Sequence, residues 1–271
     1  MLTAIDALAR LREGNHRFST DQTATPTLSS AARRIALVAG QEPFAIVLGC
    51  SDSRVPAELV FDQSFGDLFV IRVAGNVVAP SQVGSVEFAA SRFGTRLVVV
   101  MGHSRCGAIT ATLEELQGLV NNQSKNLRDI VDRVRPSVET VLAVMRDDDR
   151  DALVREAVRA NVRASVDHLR HGSELLEQLI RDDGLLVVGA EYSLETGVVE
   201  FFENTLANMR DTHNEAESQR VVDGHCAGRI SAAAARAGSR HRYGVRRAPD
   251  FQAHQRVRST GVPSDRHGGR A

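Results

Sequence analysis

Phe44-Ala45-Ile46-Val47-Leu48-Gly49-Cys50-Ser51-Asp52-Ser53-Arg54 decides how this chain is read. Its first half is apolar at successive positions and has the length of a strand, a pattern that suits burial on both faces of a parallel sheet. The run stops at a glycine, and Cys50, Asp52 and Arg54 follow at once. Ligands of open parallel sheets bind in the crevice beyond the carboxyl ends of the strands, so these residues stand where chemistry is expected. A second apolar run, Leu97 to Met101, ends the same way, in Gly102-His103-Ser104-Arg105-Cys106-Gly107. If the two strands are neighbours, one histidine and two cysteines meet, and that donor set suits zinc.

Upstream, residues 3–18 are predicted to be a helix, with Thr3 as N-cap, Asp6 three residues on, and Ile5, Leu8 and Leu11 on one face. Spacing does not choose between a helix packed on its own sheet and an arm laid on a partner subunit. Ser19 to Ser29, which holds Pro26, reads as an extended connector, and a helix around 30–40 leads into the first strand. Downstream, Val55 to Phe61 reads as a short helix, since Pro56 is tolerated in a first turn. Then come a strand at 67–73, a helix at 81–93, the strand at 97–101 and a helix from Gly107 to about Leu119. Helices at roughly 127–145 and 150–181 follow, the second with a break at Gly172. A strand at 185–189 and, after Thr196-Gly197, a short edge strand at 198–202 complete the pattern. The alternation predicts an α/β fold: a central, mostly parallel β-sheet of about four strands plus an edge strand, flanked by helices, with an N-terminal helical arm.

Composition narrows the function classes. The 271 residues carry a formal net charge of −1, so no global field draws the chain to nucleic acid or to an acidic membrane. No apolar run approaches the roughly 18–20 residues that span a bilayer, and the N-terminus lacks the basic and apolar regions of a signal peptide. A cytoplasmic location is the expectation, with thiols reduced. An odd, sparse set of cysteines, Cys50, Cys106 and Cys226, opposes a disulfide scaffold and leaves metal or catalytic roles. Residues 1–210 are read as the domain that carries the strand-end residues, and 211–271 as a tail with 11 arginines against 6 acidic residues and no apolar periodicity. Such a segment buries too little surface to offset its chain entropy, so disorder is expected there.

The chemistry follows from residue types. Zinc takes thiolate sulfur and imidazole nitrogen in tetrahedral geometry, and a catalytic zinc keeps three protein ligands and one open position. Cys50, His103 and Cys106 supply three. Cys106 is expected at a helix N-terminus, where the dipole favours a thiolate. Asp52 and Arg54, two apart, are expected to pair from extended backbone through the planar guanidinium fork, which would keep Asp52 ionised and oriented beside the metal.

Cys50-x-Asp52-x-Arg54 and His103-x-x-Cys106-Gly107 together resemble the β-class carbonic anhydrases. The resemblance extends through Leu11-Arg12-Glu13-Gly14-Asn15-x-Arg17-Phe18, Phe65-Gly66-Asp67-Leu68-Phe69 and Arg72-x-Ala74-Gly75-Asn76 to about Phe202, roughly three quarters of the chain, and leaves the tail outside. It implies one Zn2+ per chain on Cys50, His103 and Cys106, with Asp52 and Arg54 as a catalytic dyad. Asp52 is a fourth ligand in a closed form of some members. The implied reaction is reversible hydration of CO2 to bicarbonate and a proton, by hydroxide formed on zinc from a water that the dyad orients. The resemblance further implies substrate contacts from Gln41, Phe69 and the Gly107 N–H, and a homodimer or homotetramer. Phe88 stands where plant-like members carry tyrosine. A regulatory bicarbonate site of another branch needs Trp, Arg and Tyr; Arg72 and Tyr192 match, but Val47 replaces the tryptophan. His16, His168 and His171 are proton-shuttle candidates by residue type alone and are expected at the surface.

The rival readings are CS2 or COS hydrolysis on the same scaffold, a zinc-binding or redox-sensing protein without turnover, and an arginine-tail nucleic-acid binder. Neither nucleic acid nor membrane is an expected partner.

Overall fold

In a computed structural model the chain is described over residues 2–23, 30–119, 124–145 and 149–202. The expected tail at 211–271, the domain boundary near 210 and most of the connector before Ser30 lie outside these residues.

Strands β1 (Ala45–Gly49), β2 (Leu68–Arg72), β3 (Leu97–His103), β4 (Leu186–Tyr192) and β5 (Val199–Phe201) form one sheet in the order β2-β1-β3-β4-β5. The first four are parallel and β5 is antiparallel to β4. This is the α/β architecture expected from the sequence. β1 and β3 are neighbours, with Ile46 opposite Val98 and Gly49 opposite Met101. All five residues of β1 and all seven of β3 are buried, which is why both read as unbroken apolar runs. β3 extends two residues past the expected end at Met101, so His103 is still in the ladder, opposite Tyr192.

Helix α1 (Ala4–Ser19) begins as expected: the Thr3 hydroxyl accepts from the Asp6 N–H at 3.2 Å. Its buried face is Ala4, Ala7, Leu8 and Leu11, packed on alternate residues of its own sheet (Ala45, Val47, Val99, Val188). Ile5, expected on that face, is instead 56% exposed. At a 100° step its side chain falls beside the stripe that Ala4, Leu8 and Leu11 already fill. Gly14 rests on the end of α3 (Ala57–Val60), where a Cβ would come within 1.9 Å of the Phe61 carbonyl oxygen. The next residue, buried Asn15, is a three-way clip. Its amide donates to the Val60 and Gly197 carbonyls at 3.1 and 2.9 Å, and its oxygen accepts from the Val199 N–H at 2.8 Å.

The helix expected around 30–40 is only α2 (Ala31–Ala36), with no buried residue to prolong it. On the sheet face opposite α1, α4 (Pro80–Arg92), α7 (Arg150–His171) and α8 (Glu174–Asp182) pack on Ile46, Leu48, Val98, Val100 and Val187. The expected break at Gly172 separates α7 from α8. A third cluster, made by α5 (Gly107–Leu116), α6 (Lys125–Val144) and the first half of α7, includes both Cys50 and Cys106. A helical layer therefore dries the crevice at the strand ends. No helix among the described residues is long and apolar enough to cross a membrane.

Replacing Asn15 by Ala strands three backbone groups in a buried place, each costing about 1–3 kcal/mol before relaxation. We expect Asn15→Ala to lower the unfolding free energy by about 3 kcal/mol in guanidinium titrations. A loss within measurement error would show that α1 is held by its apolar face alone.

Candidate metal centre

The site is built where β1 and β3 end. Cys50 follows β1 directly, His103 is the last residue of β3, and Cys106 is the N-cap of α5. Their ligating atoms all lie within 4.8 Å of one another, and the residues are 5%, 0% and 1% exposed. The sulfur atoms are 4.0 Å apart; two thiolates on a tetrahedral zinc at 2.3 Å are separated by about 3.8 Å. The ring of His103 is oriented by its backbone neighbour: Nδ1 lies 2.9 Å from the Ser104 carbonyl oxygen, so Nδ1 carries the proton and donates. Nε2 is then a bare lone pair, fully buried, without a hydrogen-bond partner among the described residues. A buried acceptor left in that state costs free energy, whereas a cation between the sulfurs and Nε2 satisfies it. The donor set fits zinc.

The two thiols divide their protons unequally. Hydrogen bonding from Cys106 pulls Cys50 well below the usual thiol range against the opposing effect of burial, with help from the Gly75 N–H, which sits 3.4 Å from the sulfur. Cys106 is pushed up by the same hydrogen bond and by burial, although the N–H groups of Ala108 and Ile109 at the start of α5 oppose this. The Gly75 contact depends on a tight turn after β2 in which Gly75 takes φ +68°, a region that favours glycine. Helix α7 holds that turn, because Asn161 donates to the Gly75 carbonyl and Ser165 to the Asn76 carbonyl.

Asp52 and Arg54 pair as expected, but by a different backbone route. The chain turns at Asp52 rather than extending: Oδ1 accepts from the Arg54 N–H at 3.0 Å, and the Val55 N–H reaches the Asp52 carbonyl at 3.1 Å. An aspartate that bonds the N–H two residues on makes its own turn. The guanidinium then folds back, Nε to Oδ1 at 2.9 Å and NH2 to Oδ2 at 2.7 Å. This grip holds the Asp52 carboxyl well below the usual carboxylate range. Its Oδ2 lies 3.9 Å from His103 Nε2, on the rim of the cluster.

Not all of the expected site residues converge. Gly107 is exposed at the start of α5, with open space where a Cβ would stand, so its backbone is accessible beside Cys106. Gln41 is exposed ahead of β1, at the end of the sheet remote from Cys50. Five strand residues separate those ends, about 16 Å at 3.3 Å per residue. Phe69 pairs with Ile46 and packs among Phe88 and Phe93 at the outer edge of the sheet, so it is also remote from its own chain's cluster. Phe88, at the position of the plant-like tyrosine, is an exposed member of that aromatic group. Arg72 and Tyr192 do not form an anion site with Val47. Arg72 is spent on the Cys50 and Asp52 carbonyls at 3.0 and 2.5 Å, Tyr192 packs against Phe18, and Val47 is core. His16, His168 and His171 are exposed, as expected. The bracing roles of Arg72, Gly75 and Asn161 were missed at the level of sequence. The available signal was Arg72-x-Ala74-Gly75-Asn76 itself, placed at the carboxyl end of a strand beside β1.

Comparison with known proteins agrees with this geometry. Residues 45–199 match the family model described as carbonic anhydrase. Carbonic anhydrase 2 of Mycobacterium tuberculosis is 37% identical over 194 residues, 71% of this chain and 90% of that protein. A carbonic anhydrase of Mycolicibacterium smegmatis is 38% identical over 199 residues, 72% of this chain and 92% of that protein. Among solved structures, the β-carbonic anhydrase CafA of Aspergillus fumigatus superposes with a TM-score of 0.57 at 27% identity, covering 75% of this chain and 95% of that one. A model match running from β1 to the start of β5 and covering Cys50, His103 and Cys106, with relatives alike along nearly their whole length, settles the family: this chain is a β-class carbonic anhydrase.

Proposed function

We propose that Cys50, His103 and Cys106 hold one zinc ion per chain, and that CO2 is hydrated there to bicarbonate and a proton with Asp52 and Arg54 as the working dyad. The observation that carries this reading is the bare, buried Nε2 of His103 aimed at two sulfurs within 4.8 Å. Zinc in such a site supplies Lewis acidity that lowers the pKa of water from 15.7 to about 7.

The protein's part is placement and charge. Two thiolates offset the charge of a divalent ion, so the product anion is not held by excess positive charge. Arg54 engages both Asp52 oxygens: Oδ1 accepts twice, from the backbone N–H and from Nε, whereas Oδ2 accepts once and keeps a free lone pair. That lone pair of Oδ2, on the His103 side, accepts the hydrogen bond of a water and fixes the direction of the water's remaining lone pair. Because Arg54 restrains the carboxylate, Asp52 serves as an acceptor, not as a fourth ligand. The Gly107 N–H, at the positive end of α5, stands where an oxyanion gains from the helix dipole. The linkage is consistent with this role. The folded pKa of Asp52 lies below its ordinary 3.8, so its stabilising effect is in force above that value and is lost only as pH falls further. Asp52 is ionised throughout the neutral range.

Gln41 and Phe69 are too remote to serve their own cluster, so any substrate contact from them comes from a second copy in a homodimer or homotetramer. The outer edge of β2 and the exposed Phe88 beside Phe69 support that arrangement. A sheet edge left unpaired among the described residues, next to an exposed aromatic group, is a surface that proteins cover.

Stopped-flow CO2 hydration by the full-length zinc protein from pH 6.5 to 9 tests the reading. We expect activity across the range, Cys50→Ser to lose both zinc and activity, and Asp52→Asn to keep zinc while kcat falls by about 10²-fold. Full zinc content and full activity in Cys50→Ser would refute it, and activity confined to the alkaline end would show Asp52 capping the metal. Removal of metal with dipicolinate should abolish hydration, and stoichiometric Zn2+ should restore it. Zinc bound one per chain without hydration at any pH would instead favour CS2 or COS hydrolysis, or a protein without turnover.

A further inference from the structure

Ser104 and Arg105 are the only residues between His103 and Cys106, so their conformation sets the angle between two of the proposed ligands. Arg105 sits at φ +54°, a left-handed conformation that a non-glycine residue keeps only when its surroundings impose it. Its carbonyl accepts from the Arg54 guanidinium at 3.5 Å, and its side chain and that of Ser104 meet on one carboxylate. Glu195, in the turn between β4 and β5, accepts from the Ser104 hydroxyl at 2.7 Å through Oε2 and from Arg105 Nε at 2.6 Å through Oε1. The Ser104 hydroxyl in turn accepts from the Leu194 N–H at 3.0 Å, and the Ser104 N–H donates to the Tyr192 carbonyl at 2.9 Å. Both loop residues are thus tied to the far side of the β4–β5 turn.

That turn is itself fixed. The Ser193 N–H donates to the Val198 carbonyl and the Gly197 N–H to the Ser193 carbonyl, each at 2.9 Å. The Ser193 hydroxyl adds a third contact to Glu195 at 3.2 Å. Asn15 holds Gly197 and Val199 from α1. Glu195 is therefore a carboxylate on a rigid arm, and its pKa, drawn down to about 2 by the Ser104 and Arg105 hydrogen bonds, keeps it an acceptor at neutral pH.

We infer that Glu195 is a positioning residue of the metal centre: by strapping Ser104 and Arg105 it sets the aim of His103 and Cys106. This rests on the metal reading above and goes beyond it by naming what holds the ligand loop. The Arg105–Glu195 pair is largely exposed, with side chains 69% and 46% accessible, and exposed pairs contribute little to folding. The effect of the strap is angular, so it falls on metal retention and not on the melting temperature. Groups behind the ligands commonly change metal affinity by about 10–100-fold when removed.

The test uses the full-length zinc-loaded protein challenged with the chromogenic chelator 4-(2-pyridylazo)resorcinol, and the visible spectrum of the cobalt-substituted form. We expect Glu195→Ala to release zinc about tenfold faster, and Glu195→Gln, which keeps one acceptor, to fall between it and the parent. The cobalt ligand-field bands should shift, with the melting temperature moving by less than about 4 °C. Arg105→Ala combined with Glu195→Ala should release zinc no faster than Glu195→Ala alone, because the Arg105 side chain acts through that carboxylate. Parental release rates and cobalt spectra in Glu195→Ala, or effects that multiply in the double variant, would overturn the inference while leaving the metal centre intact. If Glu195→Ala does not fold, Glu195→Gln decides: a parental rate there overturns the strap, and a faster rate supports it. A parent protein that takes up no zinc would overturn both readings.

Discussion

The parallel pairing of β1 with β3 is the constraint on which the site depends. With Ile46 opposite Val98 and Gly49 opposite Met101, the end of one strand delivers Cys50 beside the end of the other, which delivers His103 and then Cys106. A shift of one residue would turn His103 to the opposite face of the sheet, away from Cys50. The register is protected because every residue of both strands is buried, so any slip would expose apolar side chains or bury backbone groups unpaired.

Around that pairing, the chain fixes two loops by unlike means. The Cys50–Arg54 loop is held from β2 and the turn beyond it: Arg72 takes two carbonyls, Gly75 offers an N–H to the Cys50 sulfur, and α7 secures the turn through Asn161 and Ser165. The His103–Cys106 loop is held from β4 and its following turn, through Tyr192, Leu194 and Glu195. Only Asp52 and Arg54, at the rim, are anchored chiefly to each other. The thiols are buried under helices and the carboxylate is partly open. That division keeps the sulfur and imidazole cluster dry and leaves the Asp52 carboxylate in reach of water.

The same bracing occupies Arg72, the arginine of the regulatory pattern. The Arg72 guanidinium already serves the backbone of the Cys50–Arg54 loop, and Val47 and Tyr192 belong to the apolar layer under α1. An anion at that place would have to displace structural hydrogen bonds. Arg72 in this chain is a strut.

By itself, the sequence determined the α/β class, the order of elements, the two strand ends and the donor set, because these signals are local: buried runs stop at glycine and reactive residues follow. It also determined the N-cap at Thr3 and the break at Gly172. Tertiary structure decided what depends on contacts between distant segments. Ile5 faces outward because Ala4, Leu8 and Leu11 fill the space against the sheet. Asp52 meets Arg54 from a turn, not from extended backbone. Gln41 and Phe69, close to Cys50 in sequence or in the neighbouring strand, lie at the wrong end of the sheet for their own cluster. Glu195, 89 residues beyond Cys106 in the numbering, reaches its loop only because β4 pairs with β3. Residue type and spacing report what a segment can do, but partners separated by that much chain are selected by the packing of the whole sheet.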